Sequence, residues 1–131
     1  MAKILIIDDD AEVRRYLQRV IELAGHEAMM AEEGAEGLRL AADPGIQLIL
    51  TDLNMPGEVS EMELIRQLKA LRPECPIVVC SGYPTQERLD ECETLGIRDF
   101  LTKPFEVSFA RAVLDRFLTE SDEAQTTHGE S

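Results

Sequence analysis

Leu48-Ile49-Leu50-Thr51-Asp52-Leu53-Asn54-Met55-Pro56-Gly57 decides the fold, because an apolar run stops there on a carboxylate and turn residues follow at once. The run from Ile46 to Leu50 is continuous rather than alternating, as suits a strand covered on both faces by helices. In an open parallel sheet, ligands bind in the crevice beyond the carboxyl ends of the strands, which is where Asp52 falls. Asn54 and Gly57 supply turn chemistry, and Pro56 biases Met55 away from helix. Taken alone, a strand-end aspartate is as readily a loop carboxylate or a helix cap. Its role depends on what else reaches the same crevice.

Outward from that stretch, strand and helix signals alternate. Lys3 to Ile7 reads as a buried strand ending in Asp8-Asp9-Asp10, with Asp10 placed to cap the following helix. Val13, Leu17, Val20, Ile21 and Ala24 then recur at helical spacing, and Gly25 stops them. His26 to Ala31 is a weaker strand and Gly34 to Ala42 a short helix, before the Asp43-Pro44-Gly45 turn. After Asp52, Ser60 and Glu63 fit a capping box opening a helix that Pro73 ends. Pro76 to Cys80 is the next strand, stopped by Ser81-Gly82, and Pro84 to Thr94 a helix with a thin apolar face, Leu89 and Cys92. Ile97 to Leu101 is a fifth strand, followed by Lys103-Pro104-Phe105 and a last amphipathic helix through Ala110, Val113, Leu114 and Phe117. Right-handed crossovers turn five such units into a doubly wound α/β domain of the flavodoxin-like strand order 2-1-3-4-5. The expected domain is 1–119, with 120–131 an acidic tail too poor in apolar residues to pack.

Composition narrows the function classes. The chain of 131 residues carries 26 Asp and Glu against 13 Lys and Arg, a formal net charge of -13. Nucleic-acid phosphates and anionic lipid would repel such a surface, so neither is an expected partner. No apolar run reaches membrane-spanning length and Met1 to Ile7 lacks the form of a signal peptide. Cys75, Cys80 and Cys92 are odd in number and form no Cys-x-x-Cys pair, which fits free thiols in a reducing cytoplasm. Of the two histidines, His26 reads as structural and His128 lies in the tail, so a His-based zinc site is not expected.

Four strand ends carry polar groups: Asp8-Asp9, Asp52, Ser81 and Lys103. In the order 2-1-3-4-5 those four strands are neighbours, so the groups can converge. Three carboxylates so gathered repel one another. Lys103 offsets one charge and leaves room for a divalent cation, for which hard oxygen ligands favour Mg²⁺ over zinc. A carboxylate beside such a cation and a lysine can act as a nucleophile toward phosphorus. The Ser81 hydroxyl can hydrogen-bond a phosphoryl oxygen, and Gly82 keeps the neighbouring wall small.

Four segments together resemble the receiver domain of two-component response regulators, from Lys3 to about Leu118. They are Ile4 to Asp10, Leu50 to Gly57, Val78 to Gly82, and Asp99 to Phe105. The resemblance implies that Asp52 is the phosphorylated aspartate, supplied by a sensor histidine kinase or a histidine phosphotransfer protein. It implies a Mg²⁺ site (Mn²⁺ the alternative) of Asp8, Asp9, Asp52 and the Asn54 backbone carbonyl. Ser81 is then the switch hydroxyl, Phe100 the aromatic rotamer switch and Lys103 the phosphate-binding lysine. Asn54 and Tyr83 occupy the two positions that tune dephosphorylation. Output would pass to a downstream protein through the face of the fourth helix, fifth strand and fifth helix, from a monomer or a phosphorylation-dependent dimer. Such a chain is a signalling phosphoacceptor, not a turnover enzyme.

The sequence departs from the family pattern after Gly57. Glu58-Val59-Ser60-Glu61 stands where an Asp-Gly pair is common, in a segment one residue longer. A degenerate receiver serving only as a binding module is therefore a rival reading. A haloacid-dehalogenase-type phosphatase is another, because Asp8-x-Asp10 after a strand matches its nucleophile pattern, though it leaves Asp52 without a role. No output module follows Leu118, which fits either a stand-alone regulator or the receiver piece of a longer protein.

Overall fold

The computed structural model describes residues 2–52, 61–82, 85–97, 99–102, 108 and 110–116. Its elements are β1 (Lys3–Ile7), α1 (Ala11–Leu23), β2 (Glu27–Ala31), α2 (Gly34–Ala41) and β3 (Ile46–Asp52), then α3 (Glu61–Leu71), β4 (Ile77–Ser81), α4 (Gln86–Thr94) and β5 (Asp99–Thr102). A fifth helix, α5, is described over 110–116. All strand pairs are parallel and the order is β2-β1-β3-β4-β5, as the alternating pattern requires.

The apolar strands are uninterrupted because each buries both faces. Ile4 and Ile6, with Leu48, Leu50, Val78 and Cys80, pack on Leu17, Val20 and Ile21 of α1 and on Ala110 and Leu114 of α5. Leu5 and Ile7, with Ile49 and Val79, pack on the other side against Leu64, Ile65 and Leu68 of α3, Ala41 of α2 and Cys92 of α4. Successive strand residues thus alternate between two helical layers. Tyr16, Met29, Met30 and Met62 are half-buried packing residues around these cores. His26 has a structural role, its Nδ1 accepting the Ala2 backbone N–H at 3.0 Å.

Several boundaries differ from the sequence expectation, and helix caps set three of them. Ile97 is not in β5: its N–H donates to the Cys92 carbonyl and the Gly96 N–H to that of Glu93, with Gly96 at φ +90°. That is a left-handed helix stop, so α4 consumes Ile97 and the strand starts at Asp99. The same motif at Gly25 (φ +88°) has the His26 N–H donating to the Ile21 carbonyl, and β2 starts one residue later than expected. At the other end of α4, the Thr85 hydroxyl accepts the Arg88 N–H at 3.2 Å, so Gln86 rather than Pro84 opens the helix. β4 likewise begins at Ile77 rather than Pro76, which has no N–H to give to a ladder. Ser60 of the expected capping box, the Glu58–Val59 segment and the 120–131 tail lie outside the described residues.

Gly37 lets α2 lie on the end of β1. A Cβ there would stand 2.5 Å from Ile7 Cδ1 and 2.8 Å from its Cγ1, and Ile7 is fully buried with a stiff β-branched side chain. Gly37→Ala gains about 1 kcal/mol of helix propensity but meets an overpacking cost of about 1–3 kcal/mol. A net destabilisation of roughly 1 kcal/mol is expected from urea unfolding. A stabilised variant would mean that Ile7 repacks freely.

All three thiols are buried. Burial pushes Cys75 up from 9.0 to about 11 and raises Cys92 as well. The folded pKa of Cys75 exceeds the unfolded one, so the stability it contributes is fully present below pH 9.0 and is lost as pH rises through about 11. Thiol reagents at neutral pH are expected to modify the protein at the rate at which it opens, with all three cysteines reacting at once in denaturant. Rapid modification of Cys75 in the native protein would contradict the burial.

Candidate functional site

The sheet register sets the site. Ile7 pairs with Thr51 in the β1–β3 ladder and Asp52 with Cys80 in β3–β4, so Asp8, Asp52 and Ser81 leave neighbouring strands at nearly one level. Thr51, Asp8, Ser81 and Asp52 are the buried polar side chains among the described residues, at 0, 1, 2 and 5% exposure. In a core otherwise built of apolar groups, every one of them stands at the carboxyl end of a strand. Asp9 is exposed at the rim.

One carboxylate oxygen from each of Asp8, Asp9 and Asp52 lies within 4.8 Å of the others. Two unit charges that close repel by roughly 3 kcal/mol at an effective dielectric of about 20, and three pairs are involved. Such an arrangement favours a compact positive charge among the oxygens. The donors are all hard carboxylates, with no thiolate or imidazole in the group, so the set fits a hard divalent cation of the Mg²⁺ class.

Local hydrogen bonds hold the acidic turn in shape. Asp8 Oδ1 accepts the Asp10 N–H at 2.9 Å, and Asp10 Oδ1 accepts the Glu12 N–H at 2.9 Å, making Asp10 the α1 cap, as the sequence suggested. The Asp8 N–H donates to the Ala31 carbonyl at 3.1 Å, extending the β1–β2 ladder by one step. Thr51 Oγ1 donates to the Asp52 carbonyl at 3.2 Å. Arg14 went unnoticed in the sequence: its guanidinium donates to the Asp8 carbonyl at 2.7 Å and to Glu32 at 3.2 Å. The available signal was a cation one helical turn beyond the Asp10 cap.

Asp8, Asp9, Asp52 and Ser81 are therefore brought together. Phe100 is half-buried on β5, opposite Val79 and against the α2–α3–α4 core. Asn54, Tyr83 and Lys103 lie outside the described residues.

Residues 4–115 match the response regulator receiver domain family. The chain belongs to that family. Phosphorylation on an aspartate is typical of receivers, and response regulators work with histidine kinases. Among curated relatives, the response regulator protein FleR of Pseudomonas aeruginosa is 32% identical over 114 residues, 87% of this receiver and 23% of FleR. This chain thus spans less than a quarter of that relative's length. Chemotaxis protein CheY4 of Vibrio cholerae superposes with a TM-score of 0.82 at 28% identity, over 90% of this chain and 99% of its own. A response regulator from Burkholderia pseudomallei superposes with a TM-score of 0.78 at 27% identity, over 98% of this chain and 74% of its own. That crystal structure contains a phosphorylated aspartic acid, a calcium ion and citrate.

Proposed function

We propose that this receiver takes a phosphoryl group onto Asp52 from a phosphohistidine of a sensor kinase or histidine phosphotransfer protein, and thereby changes its protein partners. The observation that carries this reading is the convergence of Asp8, Asp9 and Asp52 within 4.8 Å at the carboxyl edge of the sheet. The phosphorylated aspartate in the Burkholderia relative supports it. A carboxylate oxygen of Asp52 forms the new O–P bond while the P–N bond to the donor imidazole breaks, its electron pair remaining on the ring.

Asp8, Asp9, Asp52 and the Asn54 backbone carbonyl would hold Mg²⁺, or Mn²⁺ in its place. When bound, the ion supplies positive charge against the carboxylates and the transferring phosphoryl oxygens. Lys103 adds a second positive charge, and the Ser81 hydroxyl hydrogen-bonds a phosphoryl oxygen. Movement of Ser81 toward the phosphoryl group frees space into which Phe100 turns, altering the α4–β5–α5 face that meets the downstream protein. The thin apolar face of α4, with Cys92 buried and Leu89 only half-buried, supports a weakly anchored output element. Asn54 and Tyr83 set the lifetime of the phosphoryl state by controlling access of water to it.

The partners proposed for this domain are proteins, because a net charge of -13 disfavours nucleic acid and anionic lipid. Among the described residues no helix is long and apolar enough to cross a membrane. A cytoplasmic location, where kinase and thiols would meet reducing conditions, is part of the same proposal.

The test is the intact mass of the chain after incubation with acetyl phosphate. A single phosphoryl adduct that needs Mg²⁺ and disappears with chelator is the expected result. Absence of both the adduct and a beryllofluoride complex would overturn the phosphoacceptor reading in favour of a phosphorylation-independent binding module.

A further inference from the structure

We infer that Arg14 is the positioning residue of the acidic turn, holding Asp8 and Asp9 in the arrangement that binds the cation, an inference that rests on the metal reading above. Arg14 leaves the first turn of α1 with a side chain only 13% exposed. Its guanidinium meets the main-chain carbonyl of Asp8 at 2.7 Å, on the backbone and not on the carboxylate. Its other arm reaches Glu32, just beyond the end of β2, at 3.2 Å. Glu32 is 75% exposed, so the ion pair contributes little by itself. Its backbone N–H is fixed in turn by Glu36 Oε1 at 3.0 Å. Arg14 therefore ties the turn after β1 to the turn after β2, while the Asp8 carboxylate reaches forward to the Asp10 N–H. A planar donor fork suits two acceptors on different segments, which a lysine meets less well.

Charge and position predict opposite signs here. Removing a cation beside three carboxylates, with the turn unmoved, makes the site more negative and tightens Mg²⁺ binding. Removing the anchor of the turn lets the Asp8 and Asp9 oxygens separate and weakens it. Partners of metal ligands are commonly worth about 10- to 100-fold in affinity when mutated, so positioning should dominate.

The test is Mg²⁺ titration of the metal-free chain by calorimetry, in wild type, Arg14→Met and Arg14→Lys. The methionine keeps the buried stem and loses the fork. Arg14→Met is expected to weaken binding about tenfold or more, and Arg14→Lys, which keeps the charge but not the fork, should recover less than half of the loss. Without metal, amide exchange at Asp10 should quicken in Arg14→Met while that of the core residue Ile49 does not. Unchanged or tighter binding in Arg14→Met would overturn the inference, and an unfolded Arg14→Met leaves Arg14→Lys to decide it: weaker Mg²⁺ binding with quicker exchange at Asp10 supports positioning by the fork, and wild-type affinity at unchanged exchange overturns it. A wild-type chain with no Mg²⁺ response overturns the metal reading itself, and the role of Arg14 with it.

Discussion

Asp52→Asn is expected to abolish the phosphoryl adduct formed from acetyl phosphate, while Asp8→Asn and Asp9→Asn reduce it through the cation. The amide keeps the size and one acceptor oxygen of the carboxylate but is not a nucleophile toward phosphorus, so the loss should be complete. The two flanking substitutions leave the nucleophile in place and lower the charge that attracts Mg²⁺, so raised Mg²⁺ should restore part of their phosphorylation. The rival phosphatase-type reading reverses the pattern: the adduct would survive Asp52→Asn and vanish in Asp8→Asn. Two observations weigh against that reversal. Asp10, the second aspartate of the phosphatase pattern, is exposed and caps α1 through the Glu12 N–H. Asp52, to which that pattern gives no role, sits 5% exposed among the gathered oxygens. Intact mass of all three variants, each checked for fold by circular dichroism, separates the readings in one experiment.

Strand ends were legible because a strand buried on both faces must be apolar without interruption, so the first polar residue after it marks the carboxyl edge of the sheet. That pattern places Asp8, Asp52 and Ser81 together from the sequence alone, and the register shows them on neighbouring strands. Cap positions were partly legible: Asp10 and Gly25 announce themselves by residue type, whereas assigning Ile97 to a helix stop required its N–H partner, Cys92. Contacts made by arginines were not legible at all. A long, exposed-looking side chain gives no periodic signal, and its partners are backbone carbonyls brought near by topology rather than by spacing. Arg14 reaches Glu32, 18 residues away, and Arg72 reaches carbonyls 26 to 31 residues away.

Arg72→Ala should therefore be among the most destabilising substitutions outside the aliphatic core, at about 3 kcal/mol. Its guanidinium donates to the carbonyls of Ala41 at 3.1 Å, Asp43 at 2.8 Å and Ile46 at 2.8 Å, and to Glu74 at 2.9 Å. With a side chain 12% exposed, it closes the α2–β3 turn against the end of α3. Truncation leaves three partly buried carbonyls to find water, at about 1–3 kcal/mol for each that fails. Glu74 is the internal control. It is 67% exposed and its carboxyl is held below the usual range chiefly by the Arg72 hydrogen bond, so Glu74→Gln should leave the unfolding midpoint close to that of wild type. Arg72→Lys keeps the charge but not the fork and should recover less than half of the loss. Urea unfolding reads the differences as shifts in midpoint at constant slope. A loss below about 1 kcal/mol for Arg72→Ala would show the carbonyls resolvated and the clamp unimportant. Ile46 and Asp52 are the two ends of β3, about 20 Å apart at the rise of a strand. Folded Arg72→Ala should thus accept a phosphoryl group as wild type does, which separates a residue that holds the scaffold from those that act on the phosphate.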